Sequence, residues 1–159
     1  MNWYFWFKYA HIASAFALLA LHGTSMVVLY RIRRERDRAK ILSLVTLSGE
    51  TIGPMYISIG LIVITGVLAG LKIKAFSEWW VWISIFLLIA TIGLMTATAK
   101  PYFAKVKAAC EVRPSGVPRT SDEELGEILG SSTAHLITTI GVVGLLVILY
   151  LMMFKPGAL

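Results

Sequence analysis

Two histidines lie on one face of the first hydrophobic segment of this chain. His11 and His22 fall within about 20° of each other around a helix axis and about 16 Å apart along it. Ionisable side chains at membrane depth are expensive and rarely face lipid. We therefore expect this face to point into the protein or at a cofactor. The stripe is continued by Ser14, Leu18 and Ser25.

The third histidine, His135, lies near the start of the last hydrophobic segment. If the first and last segments run antiparallel, His22 and His135 reach comparable depth, since each lies about 7 to 12 Å from the same surface. Two imidazoles that face each other across helices can hold haem b. His11 lies too far toward the opposite surface to share that site and needs its second ligand from another helix. The candidate haem or metal ligands are thus His11, His22 and His135.

The same histidines have two other interpretations. A histidine in a membrane helix can simply hydrogen-bond a neighbouring helix, or a histidine pair can handle protons. Glu50 fits an acid that pairs with the basic loop or one at a helix N-terminus, with a ligand or proton-relay role as the alternative. Methionine sulfur is a soft ligand for copper(I) or haem iron, although methionine in apolar helices usually fills space. The methionines concerned are Met26, Met55, Met95, Met152 and Met153.

The composition places these residues in a membrane protein. The chain has 159 residues, is 57% hydrophobic and has a mean hydropathy of +0.75. Its four long hydrophobic segments predict an all-α, four-helix transmembrane bundle, a single membrane domain that covers 1–159. Ser121 and Glu124 form a capping box that predicts a short helix over 124–129. The long helices are expected at about 3–30, 51–71, 79–98 and 131–154, with loops at 31–50 and 99–130.

The charges adjoin the hydrophobic segments and predict the orientation. The net charge is +6. The 31–50 and 99–130 loops hold six and five Lys/Arg, whereas the 72–78 connection holds two and the C-terminal tail one. The positive-inside rule predicts both large loops in the cytosol and both termini outside. We expect a multi-pass protein of the bacterial cytoplasmic (inner) membrane that contacts anionic lipid headgroups, with no support for nucleic-acid binding.

Other classes of site have no signature here. One cysteine, Cys110, excludes an internal disulfide and a multi-cysteine metal site. No nucleophile elbow, phosphate loop, paired-carboxylate site or zinc motif is present. The sequence leaves open whether the protein is an enzyme. Small size and many small residues in the second and fourth segments also fit a non-catalytic subunit or assembly factor of a larger membrane complex. An oligomer or partner membrane subunits are then expected, with a small-ion permease as a third interpretation.

The first helix also carries a family resemblance. Residues 6–12, WFKYAHI, then a small and aliphatic run and the arginine-rich exit at 31–40, resemble a group of bacterial integral membrane proteins. The group includes the copper-resistance D family, the J-type protoporphyrinogen oxidases and membrane proteins of unknown function. In its oxidase-like members the first-helix histidine is associated with haem, which implies His11 as a ligand. His22 has no counterpart there, and no mid-helix lysine stands in the third segment, so the members of unknown function are the nearest match.

Overall fold

The structure, a computed structural model, describes residues 2–157. Within these residues, four helical stretches are long and apolar enough to cross a membrane: Trp3–Ile32, Arg38–Lys72, Trp79–Cys110 and Asp122–Phe154. This confirms the predicted all-α, four-helix bundle and is consistent with a multi-pass membrane protein. The helices are α1 (Trp3–Ile32), α2 (Arg38–Glu50), α3 (Ile52–Lys72), α4 (Trp79–Cys110), α5 (Asp122–Gly130) and α6 (Thr133–Phe154), with a 3-10 turn at Ala75–Ser77.

Polar side chains set the starts of several helices. Asn2 accepts a hydrogen bond from the Tyr4 amide at the start of α1. Asp37 accepts hydrogen bonds from the amides at the start of α2. This helix covers much of the 31–50 stretch that the sequence predicts to be a loop. Ser121 accepts from the Glu124 amide, so the predicted capping box does begin a short helix, α5. Each contact satisfies an amide that has no partner inside the helix.

Helix α4 continues to Cys110, twelve residues beyond the expected end at residue 98. Pro101 lies inside it without ending it. The extension is rich in alanine and lysine, which favour helix. Its inward face is also buried, because Val106, Ala109 and Cys110 are packed in the core. Burial of this face outweighs the loss of one helical hydrogen bond at the proline.

The long helices form two antiparallel pairs, α1 with α3 and α4 with α6. Along the first pair, His11 contacts Ile62 and Ser25 contacts Thr51, as antiparallel helices require. At the far end of the second pair, the Lys155 ammonium lies 6.0 Å from the centroid of the Trp80 ring. The start of α1 and the end of α6 share this end of the bundle, here called the terminal end. The opposite end, with the 33–37 and 111–121 connections, is called the basic end.

The main apolar core lies at the basic end. It joins α1, α2 and α4 to α5 and the start of α6. Arg38 ties α2 to α4, to the 111–121 connection and to α5, donating to the carbonyls of Ala109 and Thr120 and to the Asp122 carboxylate. The two helix pairs are thus fastened together at the basic end. The largest fully buried side chains of this core are Leu29, Ile32, Ile41 and Val106.

Candidate functional site

A cleft of about 630 Å³ lies between the two helix pairs. Helix α1 and α3 form one wall, α4 and α6 the other, and α2 borders it near the basic end. Its size falls within the range of about 300 to 1,000 Å³ that is usual for small-molecule and cofactor sites. Most of the lining is aliphatic, for example Leu18, Ile59, Leu88, Ile137 and Leu145.

Polar groups of the cleft are few and concentrated toward the basic end. Ser25, Ser48 and Thr51 form a hydroxyl cluster, with the Ser25 oxygen 3.0 Å from that of Thr51 and 3.2 Å from that of Ser48. Thr51 in turn donates to the Ser48 carbonyl. This cluster joins α1 to the junction of α2 and α3. Charged side chains at the same end of the cleft are Glu50, Lys100 and Lys107.

His22 is the histidine that lines this cleft. Its Nε2 atom is buried and has no hydrogen-bond partner among residues 2–157. The ring rests on the backbone of α6 at Gly141, where a Cβ atom would lie 2.5 Å from Cε1 of the imidazole. Since glycine has no side chain, it leaves the space that the ring occupies. A buried nitrogen without a partner is unusual and calls for a ligand, a proton-linked role or a bound water.

His11 has a different environment from His22. Its Nδ1 atom lies 2.8 Å from the Ile62 carbonyl of α3. Its ring rests on Gly66, where a Cβ atom would lie 2.9 Å from Cε1. One face of α1 therefore contacts α3 near the terminal end and α6 nearer the basic end. The two histidines of the stripe thus act at two depths and against two helices.

His135 is exposed and lies outside the cleft lining. Its Nδ1 atom lies 3.4 Å from the Tyr30 hydroxyl, and the two rings are 5.8 Å apart. On α6, Gly141 rather than His135 faces His22. His22 and His135, which the sequence predicts to face each other, therefore contact different residues. Within residues 2–157, no group of three or more His, Cys, Asp or Glu side chains is arranged to hold a metal ion.

Three methionines bring sulfur to the same cleft as His22: Met26 from α1, Met55 from α3 and Met95 from α4. Met153, by contrast, lies exposed near the terminal end. The sequence argument treated the methionines one by one and did not single out Lys100, Lys107 or Gly141. The lysines carried a sequence signal, since a cation one or two turns past an apolar segment lies near the mouth of any cleft there. Gly141 carried none, because glycines are frequent in membrane helices.

Comparison with protein-family models, with curated proteins and with solved structures found no match to this chain.

Proposed function

We propose that this chain is a multi-pass protein of the bacterial inner membrane that binds haem b in the cleft between its helix pairs. His22 is the residue that would hold the haem iron, and electron transfer or redox chemistry is the proposed role. The observation that carries the proposal is the Nε2 atom of His22, a residue of the cleft lining, which is buried against Gly141 without a hydrogen-bond partner. A neutral imidazole nitrogen in an apolar cavity is the usual protein ligand of haem iron.

The remaining lining suits the same cofactor. A haem macrocycle needs apolar walls, and the cleft is lined mainly by aliphatic side chains. The thioethers of Met26, Met55 and Met95 are the candidate second ligands, since histidine with methionine is an established haem donor set. Lys100 and Lys107 line the same cleft and would supply cations for the two carboxylates of haem b. When bound, haem supplies a centre that gains and loses one electron.

The chain itself would hold and orient this group. The imidazole of His22 now rests on Gly141, so ligation through Nε2 requires the ring to turn into the cleft. The hydroxyl cluster of Ser25, Ser48 and Thr51 holds α1 against the α2–α3 junction and so fixes the register of His22. With the basic end in the cytosol and both termini outside, Lys100 and Lys107 would lie near the cytosolic surface.

An absorption spectrum of the full chain purified from bacterial membranes tests the proposal. We expect a Soret band and, after reduction, separate α and β bands. His22→Ala should remove most of the haem, whereas His135→Ala, outside the cleft, is the matched control and should retain it. Met26→Leu, Met55→Leu and Met95→Leu, tested singly, should identify the second ligand by a shift of the reduced bands. A folded, colourless protein, or full haem content in His22→Ala, would overturn the proposal.

The second candidate is a non-catalytic subunit or assembly factor of a larger membrane complex. It is favoured by the way that His11 and His22 each fill the space above a glycine of another helix, a packing role that needs no cofactor. Sizing in a gentle detergent distinguishes the two. A colourless protein in a larger hetero-oligomer supports this candidate, whereas a monomer in native membranes contradicts it.

Loss of haem in His11→Ala but not in His22→Ala would instead favour His11, the haem ligand that the family resemblance implies.

A further inference from the structure

A second cleft, of about 580 Å³, lies on the other side of α4 from the His22 cleft. Ala97, Pro101 and Lys105 follow one another at four-residue spacing on this face of α4, so they form a single stripe. The end of α5 and the start of α6 close the other side. The residues of α4 that line the first cleft, such as Met95 and Phe103, are not among those that line the second.

Two polar groups beside this cleft, one side-chain hydroxyl and one backbone carbonyl, lack their ordinary hydrogen-bond partners. The Tyr102 side chain is only 4% exposed, and its hydroxyl has no hydrogen-bond partner among residues 2–157. Pro101 has no amide hydrogen, so the Ala97 carbonyl loses the helical donor that it would otherwise receive. The Ala97 carbonyl is therefore an acceptor that a bound polar ligand can satisfy. The Tyr102 hydroxyl is buried beneath the cleft surface, and it reaches such a ligand only when the ring turns toward the cleft.

The charged groups of the cleft have both signs. Lys105 comes from α4 and Glu127 from α5, and no ion pair joins either of them to another side chain in the part of the chain that the structure describes. Ser131 and Thr133 add hydroxyls at the start of α6. This set can recognise a small group that has both a cation and an anion, because each charge of the ligand finds an opposite charge and neutral hydrogen-bonding groups.

The position of the cleft indicates the source of such a ligand. It lies where the apolar run of α4 gives way to Lys100 and Pro101 and where the apolar run of α6 begins. In a membrane, this is the level of the lipid headgroups. Lys105 and Glu127 are both exposed to the surroundings at this level. A lipid headgroup can therefore enter from the side without crossing the bundle.

We propose that this cleft binds the phosphoethanolamine headgroup of a phosphatidylethanolamine. Glu127 and the Ala97 carbonyl accept hydrogen bonds from the primary ammonium. Lys105 and the Tyr102 hydroxyl donate to the phosphate, with Ser131 or Thr133 as further donors. A choline headgroup lacks the N–H donors that these acceptors require, and a glycerol headgroup lacks the positive charge that Glu127 attracts. The site is separate from the haem proposal and does not depend on it.

Binding can be measured by native mass spectrometry of the full chain with short-chain phosphatidylethanolamine, phosphatidylcholine and phosphatidylglycerol that share the same acyl chains. We expect the ethanolamine lipid to bind about tenfold more tightly than the other two, a ratio of the size that one charge-assisted hydrogen bond provides. Free phosphoethanolamine is a fourth ligand in the series. If it binds as tightly as the lipid, the site takes a soluble phosphoamine and the lipid assignment is wrong.

Variants locate the preference within the cleft. Glu127→Gln should remove the advantage over phosphatidylcholine, and Lys105→Met should weaken all phospholipids. Tyr102→Phe keeps the ring and removes only the unpartnered hydroxyl, so it should lower affinity without unfolding the core. Glu124→Gln and Arg113→Met change charges nearby but outside the cleft and should leave the preference intact. Equal binding of the three lipids by the unmodified chain, an unchanged preference in Glu127→Gln, or an unchanged affinity in Tyr102→Phe would overturn the proposal.

Discussion

The imidazole of His22 occupies the space that a side chain would take at Gly141. A Cβ atom at that position would lie 2.5 Å from Cε1 of the ring, closer than carbon atoms can approach without displacement. The ring of His22, which lines the large cleft, therefore packs directly on the backbone of Gly141. The contact brings α1 and α6 together across the two helix pairs.

The first prediction concerns this contact. Gly141→Ala should lower the unfolding free energy by about 1 to 3 kcal/mol, as expected when a methyl group is forced into a packed interface. Gly23→Ala, where nothing lies within 4 Å, is the matched control, and it should be neutral or slightly stabilising because alanine favours helix. Thermal unfolding in a mild detergent measures both.

The same contact can be tested by a double-mutant cycle. In a His22→Ala background, the ring is gone and Gly141→Ala should cost little, which would give a coupling energy of about 1 kcal/mol or more. Additive effects of the two substitutions would show that the ring does not rest on Gly141.

The second prediction concerns the contact between His11 of α1 and helix α3. Gly66→Ala should shift the ring, since the new Cβ atom would lie 2.9 Å from Cε1 and 3.0 Å from Nδ1. It should weaken the hydrogen bond to Ile62, for a loss of about 0.5 to 1.5 kcal/mol. Gly60→Ala on the same helix has open space around it and serves as control. If both alanines have the same effect on thermal stability, His11 does not pack as described.

The third prediction concerns Arg38 at the basic end. Its side chain is 14% exposed, whereas that of Asp122 is 94% exposed. Arg38→Ala should cost about 1.5 to 3 kcal/mol, because it removes charge-assisted bonds to the carbonyls of Ala109 and Thr120. Asp122→Asn should cost about 0 to 1 kcal/mol, since the aspartate charge is in water. Arg38→Lys should not restore stability, because an ammonium lacks the fork of donors.

Limited trypsin digestion gives a local readout for Arg38. Loss of its bonds should free the 111–121 connection, so cleavage after Arg119 should accelerate in Arg38→Ala and Arg38→Lys but not in Asp122→Asn; Arg113 is followed by Pro114 and is not a trypsin site. Equal cleavage rates in all four proteins would show that the arginine does not hold this segment.

The fourth prediction concerns pH and the turn between α1 and α2. Hydrogen bonds from the Arg36 and Asp37 amides to the Glu35 carboxylate hold its pKa below the ordinary value. A lowered pKa in the folded state adds stability above the ordinary pKa, and this stability is lost as pH falls through the lowered value. Glu35→Gln should thus be less stable than the parent chain near neutral pH, with the difference disappearing in acid. An NMR titration of Glu35 that shows no lowering would contradict this.

Several parts of the fold follow from local sequence. Four apolar runs predict four crossing segments, because hydropathy over about 20 residues decides whether a helix can be buried in lipid. The start of α5 at the Ser121 capping box is equally local, since a side chain three residues away satisfies the amide. The continuation of α4 through Pro101 is not local. It depends on the burial of Val106 and Ala109 against other helices, which outweighs the propensity of the proline.

The sequence by itself determined that His11 and His22 share one face of α1, because helical periodicity depends only on spacing. It also predicted comparable depths for His22 and His135, but His22 meets Gly141, which lies about 9 Å along α6 from His135. Only the tertiary structure decided that His11 meets Gly66 of α3, that His22 meets Gly141 of α6, and that His135 lies beside Tyr30 outside the cleft. The reason is physical. The spacing of residues along one helix follows from its rise, whereas the neighbours of a residue follow from how two helices cross. Glycines, which have no side chain, set where the two helices approach each other.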